Sequence, residues 1–129
     1  MKSASYMNFE NDFASFWIKR GVLFFIYKED VDINLPIAMQ IVSDRLKLQK
    51  GKAYPVLCDI RGVKNIDMNA RRYFAAEGSI FIKAVALISD TPLSHIFSEI
   101  YVKGNTPPIP TKIFNEDTEA LTFLSEFAS

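Results

Sequence analysis

Apolar residues along the chain follow two kinds of pattern, and their order predicts a mixed α/β fold. Short, nearly continuous apolar runs rich in β-branched and aromatic residues predict strands, whereas apolar residues spaced three or four apart predict helices. The predicted strands are 13–20, 22–28, 54–60, 83–89 and 111–114. The predicted helices follow the capping residues Asn34, Asp67, Thr91 and Asn115. The order ββαβαβαβα therefore predicts a mostly parallel five-stranded sheet with four helices.

The chain has no internal repeat, linker or low-complexity tract, so we predict one domain over 13–129 behind an amino-terminal segment over 1–12. A length of 129 residues suits one domain with its own hydrophobic core. Hydrophobic residues make up 49% and charged residues 23%, which excludes disorder along the whole chain. The single cysteine, Cys58, excludes a disulfide framework within the chain.

Charge balance and the length of apolar runs set the expected compartment and partners. The 15 basic residues balance 15 acidic ones, which argues against nucleic-acid binding because that function needs a basic surface. The longest apolar run, 22–27, is far shorter than the ~20 residues of a transmembrane helix. The amino terminus carries Glu10 and Asp12 and lacks the apolar core of a signal peptide. We therefore predict a cytoplasmic protein with no transmembrane segment.

Sequence motifs for catalysis are absent. One histidine and one cysteine cannot form a standard zinc site within one chain, and no Walker or dinucleotide-binding loop occurs. We predict no enzymatic activity, no metal and no cofactor. Cys58, in a central predicted strand, is expected to be a small buried hydrophobe. Asp59, at the end of that strand, is expected to hydrogen-bond to nearby backbone.

A basic cluster surrounds the start of the second predicted helix. Its members are Arg61, Lys64, Arg71 and Arg72, opposed by Asp67. A helical projection places both adjacent arginines beside Met68, on the side predicted to face solvent. Open α/β sheets bind ligands beyond the carboxyl ends of their strands, and helix amino termini favour anions. The cluster therefore predicts a site for an anionic ligand or an acidic partner, and the alternative is a solvated helix face.

The helix predicted over 35–48 has apolar residues on two sides. The side predicted to face the core carries Leu35, Ala38, Met39, Val42 and Leu46. The opposite side carries Ile37, Ile41 and Leu48. Because a surface helix buries only one apolar stripe, the second side predicts a homodimer interface or a groove for an apolar ligand. The strands predicted over 13–20 and 22–28 are likewise apolar on both faces. The alternative is that Tyr6, Met7 and Phe9 of the amino-terminal segment cover these second surfaces.

The third predicted helix has a clearer stripe at helical spacing. The residues predicted to face the core are Leu93, Ile96, Phe97, Ile100 and Tyr101. This helix begins at Thr91-Pro92, a capping residue followed by a proline suited to the first turn. It ends near Gly104, before a proline-rich extended stretch. On this basis, the helix is predicted to pack its aliphatic side on the sheet.

The segment Asp59-Ile60-Arg61-Gly62-Val63, followed by Ile66-Asp67, resembles the signature of the STAS domain. This is the SpoIIAA-like fold of sulfate-transporter tails and anti-sigma-factor antagonists. The resemblance extends over 13–127 through the order of elements, and the late stretch 107–114 resembles small stand-alone bacterial proteins of unassigned function. In the antagonists, a serine after the helix-starting Asp accepts a phosphate. In this sequence Met68 takes that position, so the resemblance implies the scaffold without the phosphoserine switch.

The resemblance and the residues together lead to two functional hypotheses. The first is a non-enzymatic STAS-like module that acts through protein contacts, in regulation, without the phosphoserine switch. The second is a small carrier or sensor that binds an apolar or amphipathic anionic molecule, such as a lipid. In the second hypothesis an aromatic-lined groove holds the apolar part and the arginines bind the anionic head.

Overall fold

The computed structural model describes residues 8–128, which form eight strands and four α-helices. The strands are β1 (Asn8–Glu10), β2 (Ala14–Lys19), β3 (Val22–Tyr27), β4 (Val31–Ile33), β5 (Tyr54–Asp59), β6 (Val63–Ile66), β7 (Ile82–Ile88) and β8 (Thr111–Phe114). The helices are α1 (Leu35–Gln49), α2 (Met68–Ala75), α3 (Pro92–Glu99) and α4 (Asp117–Ser125). A 3₁₀ turn (Glu77–Ser79) follows α2, and a π-helical turn (Ile100–Gly104) continues α3. No helix of the described residues is long and apolar enough to cross a membrane.

The central sheet has six strands in the spatial order β1-β2-β3-β5-β7-β8. The pairs β1–β2 and β2–β3 are antiparallel, whereas β3–β5, β5–β7 and β7–β8 are parallel. The predicted α/β class, with a mostly parallel sheet and four helices, is confirmed. Three short strands were not predicted, because segments of three or four residues are too short to show a pattern. Of these, β1 adds a sixth strand to the sheet, and β4 and β6 pair with each other.

Helices cover both faces of the sheet and create two separate apolar clusters. We call the face covered by α1, α2 and α3 the three-helix face, and the other the α4 face. On the three-helix face the strands contribute Phe25, Val56 and Leu87 to the core, and Ile60 follows directly after β5. On the α4 face, the strand residues Leu57, Ala84, Ala86 and Ile88 pack with Ala120, Phe123 and Leu124 of α4. The alternation of side chains along each strand explains why neighbouring residues belong to different clusters.

The prediction of which side of α1 faces the core is correct for Ala38 and Val42, which are buried, and wrong for the side predicted to face away from the core. Ile41 is 2% exposed and Leu48 is 8% exposed, while Met39 of the predicted core side is 48% exposed. Ile37 is partly buried and packs against the same cluster. Both sides of the helix are apolar, so periodicity alone could not distinguish them. Burial of these residues removes the basis for a homodimer interface formed by Ile37, Ile41 and Leu48.

The predicted stripe of α3 is also largely wrong, because its aliphatic residues face outward. Leu93, Ile96 and Ile100 are 46%, 53% and 40% exposed, whereas Ser94 and Ser98 are each 1% exposed. A capping box sets this rotation: Thr91 Oγ1 accepts from Ser94 N at 3.1 Å, and Thr91 N donates to Ser94 Oγ at 3.2 Å. The Ser94 hydroxyl also lies 3.1 Å from that of Ser89, at the end of β7. Phe97 and Tyr101 do pack against the core, as predicted.

The amino-terminal segment contributes β1, whose pairing places Phe9 opposite Phe16. The two rings stack with centroids 4.9 Å apart, so Phe9 covers part of the hairpin on the three-helix face. This agrees with the expected covering role of the segment for Phe9. Tyr6 and Met7 lie outside the described residues.

Candidate functional site

A cavity of about 120 Å³ lies on the three-helix face, between the sheet and the helices. Its floor consists of side chains from β3, β5 and β7, which point to this face at alternate positions. Its roof includes residues of α1, α2 and α3, and Ile109 of the proline-rich loop adds to the wall. Most of the lining is aliphatic or aromatic, including the rings of Phe25, Phe74 and Phe97. Protein interiors are normally close-packed, so a void of this size in the core is a candidate ligand site.

The charged side chains in the lining of this cavity are two arginines, Arg45 and Arg71. No aspartate, glutamate, lysine or histidine of the described residues belongs to the lining. Neither arginine is within ion-pair distance of a carboxylate in the described part of the chain. Buried cations are normally paired with an anion, because an unpaired charge in an apolar environment is costly. The cavity therefore has an uncompensated positive charge.

Neutral groups hold Arg45, which is 4% exposed. Its Nη2 donates to the carbonyl of Gly78 at 3.0 Å, and its Nη1 donates to the carbonyl of Ile80 at 3.3 Å and to Gln49 Oε1. Gln49 in turn donates to the carbonyl of Phe81 at 2.8 Å. Burial lowers the pKa of Arg45 to about 10, so the group remains protonated at neutral pH. This network ties α1 to the segment between α2 and β7 and leaves the charge without a counter-ion.

Two residues of the cavity lining each have a buried polar side-chain atom that has no hydrogen-bond partner among residues 8–128: Nε of Arg71 and Oγ of Ser98. The Arg71 Nη1 donates to the carbonyl of Ile66 at 2.6 Å, and this bond turns the guanidinium back toward β6. The prediction that both arginines face solvent is therefore wrong for Arg71, which is partly buried, and correct for Arg72. Unsatisfied buried donors are rare in folded proteins, so each one calls for a physical explanation.

Three further groups in the lining, Cys58, Tyr27 and Tyr101, remain neutral at physiological pH. Burial raises the pKa of the Cys58 thiol to about 12. Burial also raises the pKa of both tyrosines above its usual value. The cavity therefore offers neutral hydrogen-bonding groups beside two cations. A thiol that stays protonated is a poor nucleophile.

The segment that resembles the STAS signature forms a turn at the ends of β5 and β7. Asp59 Oδ1 accepts from the Arg61 backbone N and Nε, both at 3.0 Å, and Asp59 Oδ2 accepts from Arg61 Nη2 at 2.6 Å. Arg61 Nη1 also donates to Asp90 at 3.2 Å. The pKa of Arg61 is raised above its usual value, mainly by the side-chain hydrogen bond to Asp59. Arg61 is thus held by two carboxylates and is not part of the cavity lining.

Gly62 in this turn has a steric role. A Cβ at this position would lie 2.2 Å from the carbonyl oxygen of Lys28, so no other residue fits without moving the backbone. The Gly62 carbonyl accepts from Val31 N at 3.2 Å, which leads into the pairing of β4 with β6. The signature-like turn therefore positions the start of α2 beside the cavity.

The remaining predicted site residues do not converge with Arg71. Asp67 is the amino-terminal cap of α2 and accepts from Ala70 N at 2.8 Å. Met68, at the position of the phosphorylated serine in the antagonists, is 53% exposed. Lys64 and Arg72 are exposed, and neither is part of the cavity lining. Of the basic cluster, Arg71 alone reaches the cavity.

Comparison with known proteins adds a family and a fold. The family model described as "Domain of unknown function (DUF7793)" matches residues 16–128. This chain belongs to the DUF7793 family. No curated protein matches its sequence.

Two solved structures are similar to this DUF7793 protein. The first is an uncharacterised protein of the DUF3478 family from Shewanella loihica PV-4, which has a SpoIIAA-like fold. It is 15% identical, with a TM-score of 0.60, and the match covers 96% of this chain and 98% of that chain. The second is a protein of unknown function from Arthrobacter sp. FB24, 23% identical over 81% of this chain and 92% of that chain, with a TM-score of 0.31. The first likeness confirms the SpoIIAA-like fold predicted from the resemblance.

Arg45 and Ser98 of this DUF7793 chain were not among the predicted site residues. A usable signal existed for Arg45, because it follows Ala38, Ile41 and Val42 at helical spacing on the buried side of α1. A basic residue within an apolar stripe indicates either a buried network or a ligand contact. No such signal marked Ser98, because serine is common on exposed helix surfaces.

A second depression, of about 360 Å³, lies between β8 and α4 of the DUF7793 fold. It is lined mainly by polar and charged side chains, including Lys112, Glu119 and Glu126. Lys112 Nζ lies 5.3 Å from the centroid of the Phe123 ring. Charges of both signs and open polar walls make it a weaker candidate than the apolar cavity.

Proposed function

We propose that this DUF7793 protein is a non-enzymatic module that binds a small amphipathic molecule in the cavity of the three-helix face. The observation that carries the proposal is an apolar cavity whose lining includes two arginines and no acidic residue. An apolar wall favours the apolar part of a ligand, and uncompensated cations favour an anionic part. The neutral state of Cys58, Tyr27 and Tyr101 favours binding over catalysis, because a general base or nucleophile needs a pKa near the working pH.

The volume of the cavity limits the size of the molecule. An engineered apolar cavity of roughly 150 Å³ binds benzene, so about 120 Å³ suits one ring or a short branched chain. A long acyl chain needs a larger space than this. The volume therefore favours a compact molecule over the lipid considered from the sequence.

Titration with small aromatic probes, followed by two-dimensional NMR, tests the proposal. We expect benzamide or benzoate to shift the resonances of cavity-lining residues in the wild-type protein. Val85→Phe should abolish these shifts, because a ring added to the floor at Val85 fills the cavity. Thr122→Phe is the matched control, since Thr122 is exposed on α4 and is not part of this lining. Absence of shifts with every probe would contradict a binding role for the cavity.

A second candidate function is contact with a protein partner through α3, as in the STAS-like interaction module of the first hypothesis. The observation in its favour is the exposed row of Leu93, Ile96 and Ile100. Three aliphatic side chains on one exposed helix side are typical of interaction surfaces. The module would work without a phosphoserine switch, because Met68 has no hydroxyl group.

Affinity capture from native lysate tests this second function. We expect a stoichiometric partner that Ile96→Glu releases and Leu121→Glu retains. Leu121 is a suitable control because it is 36% exposed on α4, away from α3. Retention of the partner by Ile96→Glu would contradict the role of α3.

A further inference from the structure

We infer that the molecule bound in the cavity is a small carboxylate with a compact apolar body, and that Arg71 and Ser98 bind its carboxylate group. This inference rests on the proposed function, since it names the chemical class of the ligand for the same cavity.

The two arginines differ in how many of their N–H groups already donate hydrogen bonds within the protein. Arg45 donates to the carbonyls of Gly78 and Ile80 and to Gln49. Because these bonds occupy its donors, Arg45 contributes mainly its positive charge to the cavity. Arg71 uses Nη1 on the carbonyl of Ile66 and has no partner at Nε within the described residues. The edge formed by Nε and Nη2 is one with which arginine binds a planar carboxylate through two parallel bonds. Arg71 is therefore the arginine available to a ligand.

Ser98 supplies an independent observation on a different helix. Its side chain is 1% exposed, its residue lines the cavity, and its hydroxyl has no partner in the described structure. Ser94, one turn earlier, is equally buried but bonded to Thr91 and Ser89. Burying a hydroxyl without a partner costs free energy. A ligand that accepts a hydrogen bond from this hydroxyl would recover that free energy. Of the two unpartnered groups, the Arg71 Nε–H can only donate and the Ser98 hydroxyl can donate, so a ligand group that accepts hydrogen bonds can satisfy both.

The wall chemistry favours a carboxylate over a phosphate. A phosphate monoester carries up to two charges and three strong acceptor oxygens, which need more donors than Arg71 and Ser98 provide. A carboxylate carries one charge and fits the planar fork of a guanidinium. The rings of Phe25, Phe74 and Phe97, together with the cavity volume of about 120 Å³, suit a ring or branched chain as the remainder of the ligand.

The test uses benzoate and benzamide, two probes of nearly equal shape that differ in charge. NMR titrations are run at constant ionic strength on the wild-type protein, Arg71→Met and Arg72→Met. We expect wild-type protein to bind benzoate about tenfold or more tightly than benzamide, because hydrogen bonds to a charged group are the stronger ones. Arg71→Met should weaken benzoate binding to the level of benzamide and leave benzamide binding unchanged. Arg72→Met, the neighbouring exposed arginine, should change neither.

Further variants keep the test decisive. If Arg71→Met does not fold, Arg71→Lys retains the charge but lacks the fork, and should bind benzoate several-fold more weakly than the wild type. Ser98→Ala should also weaken benzoate more than benzamide. Equal binding of benzoate and benzamide by wild-type protein would contradict the inference that the ligand is a carboxylate. It would leave the proposed binding role of the cavity intact. Binding of acetate as tight as that of benzoate would contradict the inference that the ligand has an apolar body. Absence of binding for every probe would contradict the proposed function as well.

Discussion

The two faces of the sheet differ in the side chains and helices that cover them. On the α4 face, Ala84 and Ala86 of β7 leave room for α4 to approach closely, and Leu124 and Ala120 are 0% exposed. On the three-helix face, larger side chains and three helices enclose a cavity of about 120 Å³. In the described part of the chain, the two buried polar side-chain atoms without partners belong to residues of the three-helix face, Arg71 and Ser98. One sheet thus supports an α4 layer that has a fully buried centre and an open depression beside β8, and a second layer that contains an apolar cavity.

This contrast indicates that the cavity is a local feature and not a general looseness of a small domain. The strands are shared by both faces, so the backbone of the sheet cannot be the cause. The difference comes from side chains on the strands and on the helices: Ala84 and Ala86 of β7 admit α4 on one face, whereas polar residues of the helices, Arg45, Arg71 and Ser98, line the cavity on the other. Polar residues at core positions cost stability, and proteins tend to retain such costs at functional sites.

The largest expected difference between the faces is in the cost of removing a leucine. Leu124→Ala on the α4 face should lower the free energy of unfolding by about 3–5 kcal/mol, since it opens a new cavity in a close-packed cluster. Leu87→Ala should cost about 2 kcal/mol, because Leu87 already borders a void and has fewer contacts to lose. Urea denaturation of both variants measures the difference. Equal costs would mean that the three-helix face is as closely packed as the other.

A smaller effect separates two serines of α3. Ser94→Ala should lower the free energy of unfolding by about 1–2 kcal/mol, because it removes bonds to Thr91 and Ser89 and half of a capping box. Ser98→Ala removes a hydroxyl without a partner and should leave stability unchanged or slightly higher. Thermal and urea denaturation compare the two variants. A loss in Ser98→Ala equal to that in Ser94→Ala would show that the Ser98 hydroxyl has a partner in the unliganded protein.

The smallest effect concerns pH and the thiol in the cavity wall. Burial raises the pKa of Cys58 from 9.0 to about 12. Above pH 9 the unfolded chain therefore loses its thiol proton first, and stability that is fully present below pH 9 is lost as the pH rises toward 12. At pH 10 this loss is about 1 kcal/mol.

Comparison of Cys58→Ala with wild-type protein isolates the thiol from the tyrosines. The fall in the free energy of unfolding between pH 7.5 and pH 10 should be smaller in Cys58→Ala by that amount. Measurements stop at pH 10 because Arg45, whose pKa is lowered to about 10, begins to act in the opposite direction there. An identical fall in both proteins would show that Cys58 is not shielded from water.

Local patterns were sufficient for the predicted class of fold. The five predicted strand runs, the caps at Asn34, Asp67 and Thr91, and the four helices reappear in the structure in the predicted order. The cap of the last helix is Glu116 and not the predicted Asn115. These features depend on neighbouring residues in the chain, so a pattern of a few residues contains the necessary information. The same holds for the absence of a serine after Asp67, which can be read directly from Met68.

The candidate site required the packed structure. Two sides of α1 are apolar, and the packed structure was needed to show that Ile41 is buried, that Met39 is exposed, and that Arg45 bonds to the carbonyl of Gly78. In α3, bonds from Ser94 to residues at its own start set a rotation that exposes Ile96 and buries Ser98. A void, an unpaired donor and an uncompensated charge are properties of several elements together. Their energies depend on distances across the core, and the linear order of residues contains no measure of those distances.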